Sequence, residues 1–169
     1  MSTKKIAVIM GSDSDLPALK ACFSTLRDFG IEYSARVISA HRTPAAAEDF
    51  AKNARSRGYG AIIAAAGKAA HLAGVMAAYT TLPVIGIPVK SSTMDGLDSL
   101  LSVVQMPSGI PVACVAIDGS ANAALLAVQM LAIEDGALAK KLMEFKAKMA
   151  EEVSKKDAAL DGKIAEMLK

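Results

Sequence analysis

Six residues, SAHRTP at 39–44, set a histidine between a serine hydroxyl and an arginine. Histidine takes up and returns a proton near neutral pH. Arginine's planar fork clamps a phosphate or carboxylate through two parallel hydrogen bonds. Singly, His41 would be a hydrogen-bonded histidine at a helix start, and Arg42 half of a surface ion pair. Together, with Ser39 beside them and an apolar run just before, they describe a place where a proton moves next to a bound anion. The only other histidine, His71, ends the stretch AAAGKAAH. Gly67 and its alanine neighbours would let a ligand approach backbone amides closely. Their plainer role is helix–strand packing, and His71 could be a half-buried helix residue. A third stretch, GSDSD at 11–15, precedes a helical pattern. Ser14 or Asp15 would cap that helix. Two serines and two aspartates around Gly11 exceed what a cap needs. Hydroxyls and free amides at a helix start also suit phosphate, and an aspartate suits ribose hydroxyls.

These three stretches need elements to hold them. Apolar, β-branched runs at 6–10, 33–38, 61–65, 84–87 and 112–117 predict strands, buried on both faces as in a parallel sheet. Helical patterns occupy 16–29, the stretch from Pro44, part of 67–80, then 96–105 and 121–131. Such alternation predicts a three-layer α/β/α sandwich around a parallel sheet, flavodoxin-like or Rossmann-like. Ligands of these folds bind beyond the carboxyl ends of the strands. The first three strands would deliver GSDSD, SAHRTP and AGKAAH to that edge, and both histidines with them.

Composition narrows the chemistry. The 169 residues fit one domain. Aromatics are 4% with no Trp, which disfavours base-stacking platforms for single-stranded nucleic acid. A net charge of +2 offers no basic field for duplex binding. No run of about 18 apolar residues predicts a membrane span, and no leader pattern precedes the first strand, so a cytoplasmic protein is expected. Cys22 and Cys114 fit as small apolar residues in a reducing compartment. No G-x-G-x-x-G, P-loop or G-x-S-x-G pattern is present. A flavin site would want aromatic loops. A phospho-acceptor domain would want an aspartate at the third strand's tip, where this chain has Ala-Ala-Gly. A metal site built on His41, His71 and an aspartate lacks any repeated ligand spacing.

Residues 1–133 form the expected catalytic unit. From Glu134 onward the chain changes: 16 of 36 residues are charged, eight of each sign. This extension, 134–169, carries Leu138, Leu142, Phe145, Met149 and Val153 as one helical stripe. The stripe could cover a neighbouring subunit or pack on its own domain. The pattern at 121–131 is apolar nearly all round, which favours an oligomer.

In order, GSDSD, SAHRTP, AAHL, PVIGIPV, GLDSLLSVVQMPSGIPV and NAALLA resemble the N5-carboxyaminoimidazole ribonucleotide mutase family of purine biosynthesis. The resemblance covers roughly residues 6–131. It implies an isomerisation of a ribonucleotide, moving a carboxyl group from the exocyclic nitrogen to the imidazole carbon C4, with no ATP, metal or organic cofactor. It also implies a homo-octamer with sites at subunit contacts. By resemblance His41 is the acid and then the base. Ser12, Ser14 and Arg42 address the phosphate, and Asp15 the ribose. Ser39 and His71 lie near the migrating carboxylate, and Gly67 belongs to the pocket that traps carbon dioxide. Gly11 and Leu72 complete the substrate-binding set. The third loop departs from the family pattern: Ala65 and Lys68 stand for glycines, and Ala73 for a proline. Lys68 would then face solvent or add positive charge near the carboxylate. A sister group carboxylates aminoimidazole ribonucleotide with free carbon dioxide; its second loop reads HK where this chain has His41-Arg42. A non-catalytic nucleotide-binding domain is the rival from another class.

Overall fold

A computed structural model describes residues 4–169. Five parallel strands run in the order β2-β1-β3-β4-β5. They are β1 (Lys5–Met10), β2 (Tyr33–Val37), β3 (Tyr59–Gly67), β4 (Val84–Val89) and β5 (Ala113–Cys114). Between them come α1 (Lys20–Phe29), α2 (Pro44–Asn53), α3 (Leu72–Tyr79) and α4 (Leu97–Val104). After the sheet follow α5 (Ser120–Ala132), α6 (Gly136–Ala158) and α7 (Leu160–Met167).

Period-two alternation in the central strands feeds two cores. Ile6, Val8, Met10, Ile63, Ile85 and Ile87 face α1 and α5. Ala7, Ile9, Ile62, Ala64 and Val84 face α2, α3 and α4 through Phe50, Met76 and Val103. Each large side chain so buried contributes about 1.5–3 kcal/mol. On β4 the second face approaches α4 too closely for any side chain: a Cβ at Gly86 would collide with Val103 and crowd Ala73 and Val112.

The winding direction reverses once. From β1 the chain turns onto the α1 face and returns to β2 on one flank. From β2 onward it crosses on the other face and advances to β3, β4 and β5. The loops leaving β1 and β3 therefore diverge to opposite faces of adjacent strands and leave a crevice between them.

Three expectations need correction. β2 is not buried: it is the sheet's edge strand, and Tyr33 and Val37 are 39% and 54% exposed. β5 has two residues where 112–117 is expected. Pro88 of β4 has no N–H to donate, so regular pairing stops at Gly86–Cys114, and Asp118 continues the contact by donating its N–H to the Pro88 carbonyl and accepting the Lys90 N–H. The helix expected at 16–29 starts as a 3-10 segment, Asp13–Leu19, containing Pro17, and becomes α-helical at Lys20.

α5 is apolar all round for a reason found within the chain. The sheet, α1 and α6 each take part of its surface. Leu138 and Leu142 of α6 pack into the same core, and Phe145 meets Phe29 edge-on at 5.8 Å. Further along the same stripe, Met149 and Val153 are 51% and 64% exposed. No described helix is long and apolar enough to cross a membrane.

Candidate active site

A cavity of about 700 Å³ opens at the carboxyl edge of the sheet. The tips of β1, β2, β3 and β4 line it. Gly11, Ser12, Ser14, Asp15, Ser39, His41, Arg42, Gly67 and Leu72, all named from sequence, are in its wall.

The β1 loop is held by a capping box whose N-cap is Ser12, where Ser14 or Asp15 is expected, with Asp15 as its reciprocal partner. Ser12 Oγ accepts the Ser14 N–H at 3.3 Å, and the Asp15 carboxylate accepts the Ser12 N–H at 3.1 Å. Ser12 has the extended backbone that a cap requires, and Asp15 stands at the third helical position where its side chain reaches back. Partial burial pushes the Asp15 carboxyl above its usual range. The N–H groups of Ser12 and Gly11 and the Arg42 charge oppose that rise.

The β2 loop folds on itself. Ser39 Oγ accepts from the Arg42 backbone N–H at 3.2 Å and from Arg42 Nε at 3.3 Å. Arg42 Nη2 donates to the Gly11 carbonyl at 2.9 Å, tying the β2 tip to the β1 tip. Thr43 Oγ1 accepts the Ser39 N–H and donates to the Ser39 carbonyl, both at 3.0 Å. Pro44 then opens α2 at the position where a missing N–H costs nothing. Ser39 thus orients Arg42.

His41 Nε2 and His71 Nδ1 are 2.9 Å apart, with the rings edge-on at 80°. One nitrogen of this pair donates and the other accepts, so the bond couples the tautomers of the two rings. His71 is exposed at the start of α3 and is absent from the main cavity's wall. It lines a second hollow of about 430 Å³ with Gly74, Val75 and residues of α4. Thirty residues separate the two histidines, and no spacing rule joins them in sequence.

The β4 tip is the part that sequence reasoning missed. Lys90, Ser91 and Ser92 line the cavity. Lys90 pairs with Asp95 at 2.8 Å, and Asp118 accepts its backbone N–H at 3.0 Å. Ser91 Oγ donates to the Asp98 carboxylate. The KSS triplet just after a strand was the available signal. Among the described residues, no group of three or more His, Cys, Asp or Glu side chains is arranged to hold a metal ion.

A 2-1-3-4-5 parallel sheet with this cavity at its reversal point defines a flavodoxin-like α/β protein whose cavity lies where ligands of such folds bind. The family model described as AIR carboxylase matches residues 5–152. The chain belongs to that family. It is 52% identical to the N5-carboxyaminoimidazole ribonucleotide mutase of Thermotoga maritima, over 93% of this chain and 92% of the relative. It is 52% identical to the phosphoribosylaminoimidazole carboxylase of Saccharomyces cerevisiae, over 92% of this chain but 27% of that longer protein. The crystal structure of Treponema denticola PurE superimposes with a TM-score of 0.84 at 30% identity, covering 92% of this chain and 97% of that one.

Proposed function

We propose that this protein is an isomerase that converts N5-carboxyaminoimidazole ribonucleotide into 4-carboxy-5-aminoimidazole ribonucleotide in purine biosynthesis. The observation that carries the proposal is His41 at the wall of the strand-tip cavity, hydrogen-bonded to His71 and one residue from an anchored Arg42. Relatives that match at nearly full length and carry the mutase name support the same reading.

The chemistry closes on one histidine. His41 gives a proton to the carbamate nitrogen. The C–N bond breaks, releasing carbon dioxide and an electron-rich aminoimidazole. C4 attacks the trapped carbon dioxide and forms the new C–C bond. His41 then removes the C4 proton, returning to its starting state with no net proton used. His71 is a positioning residue that holds the His41 ring. Ser12, Ser14 and Arg42 receive the phosphate, Asp15 the ribose, and Gly67 with its alanine neighbours closes around the carbon dioxide. No metal or organic cofactor enters these steps.

The same fold could carboxylate aminoimidazole ribonucleotide with free carbon dioxide, and the yeast relatives carry the carboxylase name at equal identity. A cofactor-free assay separates the two. Fast conversion of the carbamate nucleotide at low bicarbonate, with slow use of aminoimidazole ribonucleotide plus bicarbonate, is expected. The reverse ratio makes the protein a carboxylase. His41→Asn should cut kcat by at least about 10²–10⁴-fold, the usual span of a general acid–base group, and leave nucleotide binding measurable. Turnover that survives in this variant leaves a silent nucleotide-binding domain with contaminating activity, or another acid.

A cytoplasmic homo-oligomer, an octamer by family resemblance, goes with this reading. The exposed apolar residues Met149, Val153, Leu160 and Ile164 of α6 and α7 support assembly. Light scattering gives the number directly.

A further inference from the structure

Four charged side chains line the cavity: Asp15, Arg42, Lys68 and Lys90. Arg42 is tied to Ser39 and Gly11 on the β1–β2 side. Lys90 is neutralised by Asp95. Lys68 has no carboxylate in ion-pair range and no hydrogen-bond partner among the described residues. It is the unpaired cation of the β3–β4 side. Its backbone is unusual as well: φ is 56°, in the left-handed region that glycine enters freely and lysine does not. The other two described non-glycine residues with positive φ, Asp95 and Asp118, are those that hold Lys90. Of these three, Lys68 is the one that lines the cavity and the one whose side chain has no local hydrogen bond to favour this conformation. Strain of this kind clusters at ligand clamps.

We propose that Lys68 is a carboxylate-binding residue that sets the site's preference for carboxylated over uncarboxylated aminoimidazole nucleotides. The assignment rests on the function proposed above. With the phosphate on the β1–β2 side, the imidazole ring points toward β3 and β4. Its carboxylate there meets small residues, backbone amides and the Lys68 ammonium. The ammonium forms an ion pair with the carboxylate in substrate and product. The bare aminoimidazole formed midway has no such charge to offer it.

Calorimetric binding of 4-carboxy-5-aminoimidazole ribonucleotide and of aminoimidazole ribonucleotide tests this on the full chain, with Lys68→Gln and Lys68→Gly beside the unaltered protein. Lys68→Gln should weaken the carboxylated ligand about fivefold to tenfold, a charge-assisted bond discounted for solvent. It should leave the uncarboxylated one within about twofold. Lys68→Gly should show the same loss of preference with an equal or higher Tm, because glycine relieves the left-handed backbone. Unchanged affinities for both ligands would put Lys68 in solvent and overturn the assignment. Equal weakening of both would make it a general phosphate attractor and overturn it too. If the unaltered protein binds neither nucleotide, the proposed function itself fails and Lys68 falls with it.

Discussion

The cavity's two sides are built by different means. On the β1–β2 side nearly every polar group has a protein partner: Ser12 with Ser14 and Asp15, Ser39 with Arg42 and Thr43, Arg42 with Gly11. On the β3 side the wall is Ala66, Gly67, Lys68 and Ala69, with little side chain and no side-chain bonds among them. The first side is preorganised, with its groups already aimed before a ligand arrives. The second is defined by the room it leaves. Changes on the first should therefore act through lost bonds, and changes on the second through lost space.

The largest effect is expected at Arg42. Arg42→Ala removes a ligand clamp and the tie between the β1 and β2 tips at once. kcat/KM should fall by about 10²-fold, the size of one to two charge-assisted bonds, while Arg42→Lys recovers only part. A loss under about twofold would mean that the preorganised side does not face the anion. Gly67→Ala probes the other side. The added Cβ would lie 3.5 Å from the Val89 carbonyl oxygen and 3.8 Å from Val89 Cβ, ordinary contacts, so Tm should hold. Turnover should nevertheless fall by about 10-fold through misplacement of the reacting group. If Tm drops and turnover does not, the small residues serve packing and the contrast between the two sides disappears.

The smallest effect concerns pH. Burial raises the Asp15 carboxyl above 3.8, so the folded protein holds that proton more firmly than the unfolded chain does. Asp15 then costs stability as pH rises through the folded pKa, and that cost is complete above it. Asp15→Asn keeps an acceptor for the Ser12 N–H and removes the charge. Its Tm should equal or slightly exceed that of the unaltered protein at pH 7, with the gap closing as pH falls toward 3.8. A lower Tm at pH 7 would show that the Arg42 charge and the cap outweigh burial. Asp15→Ala, which deletes the acceptor, should weaken substrate binding as well.

Much of this was legible from residue types. β1, β3 and β4 announce themselves through unbroken apolar runs, and the loops after β1, β2 and β3 through small and hydroxyl residues. The apolar run 112–117 predicts too long a β5 because it says nothing of Pro88 opposite, whose missing N–H ends the pairing. β2 looked like any other strand, since a sequence does not mark which strand takes the edge. Lys90 is not marked in the sequence because its loop carries no histidine, and its contacts with Asp95 and Asp118 depend on turns that only the folded chain makes. The His41–His71 bond depends on how β2 and α3 meet. The stripe on α6 is visible in the sequence, but its division into a covered half at Leu138 and Leu142 and an open half at Met149 and Val153 depends on how far α6 runs beside α5.

The reversal of winding between β1 and β3 also bears on how such a protein can change over time. The crevice there is a product of chain routing, so no particular side chain is needed to open it. Of the residues on its rim, Leu72 and Val89 belong to the two buried cores, while His41, Arg42, Lys68 and Lys90 are exposed. Rim residues can therefore be replaced without disturbing the interior. A lysine taking up a backbone position that suits glycine is the kind of experiment this arrangement tolerates.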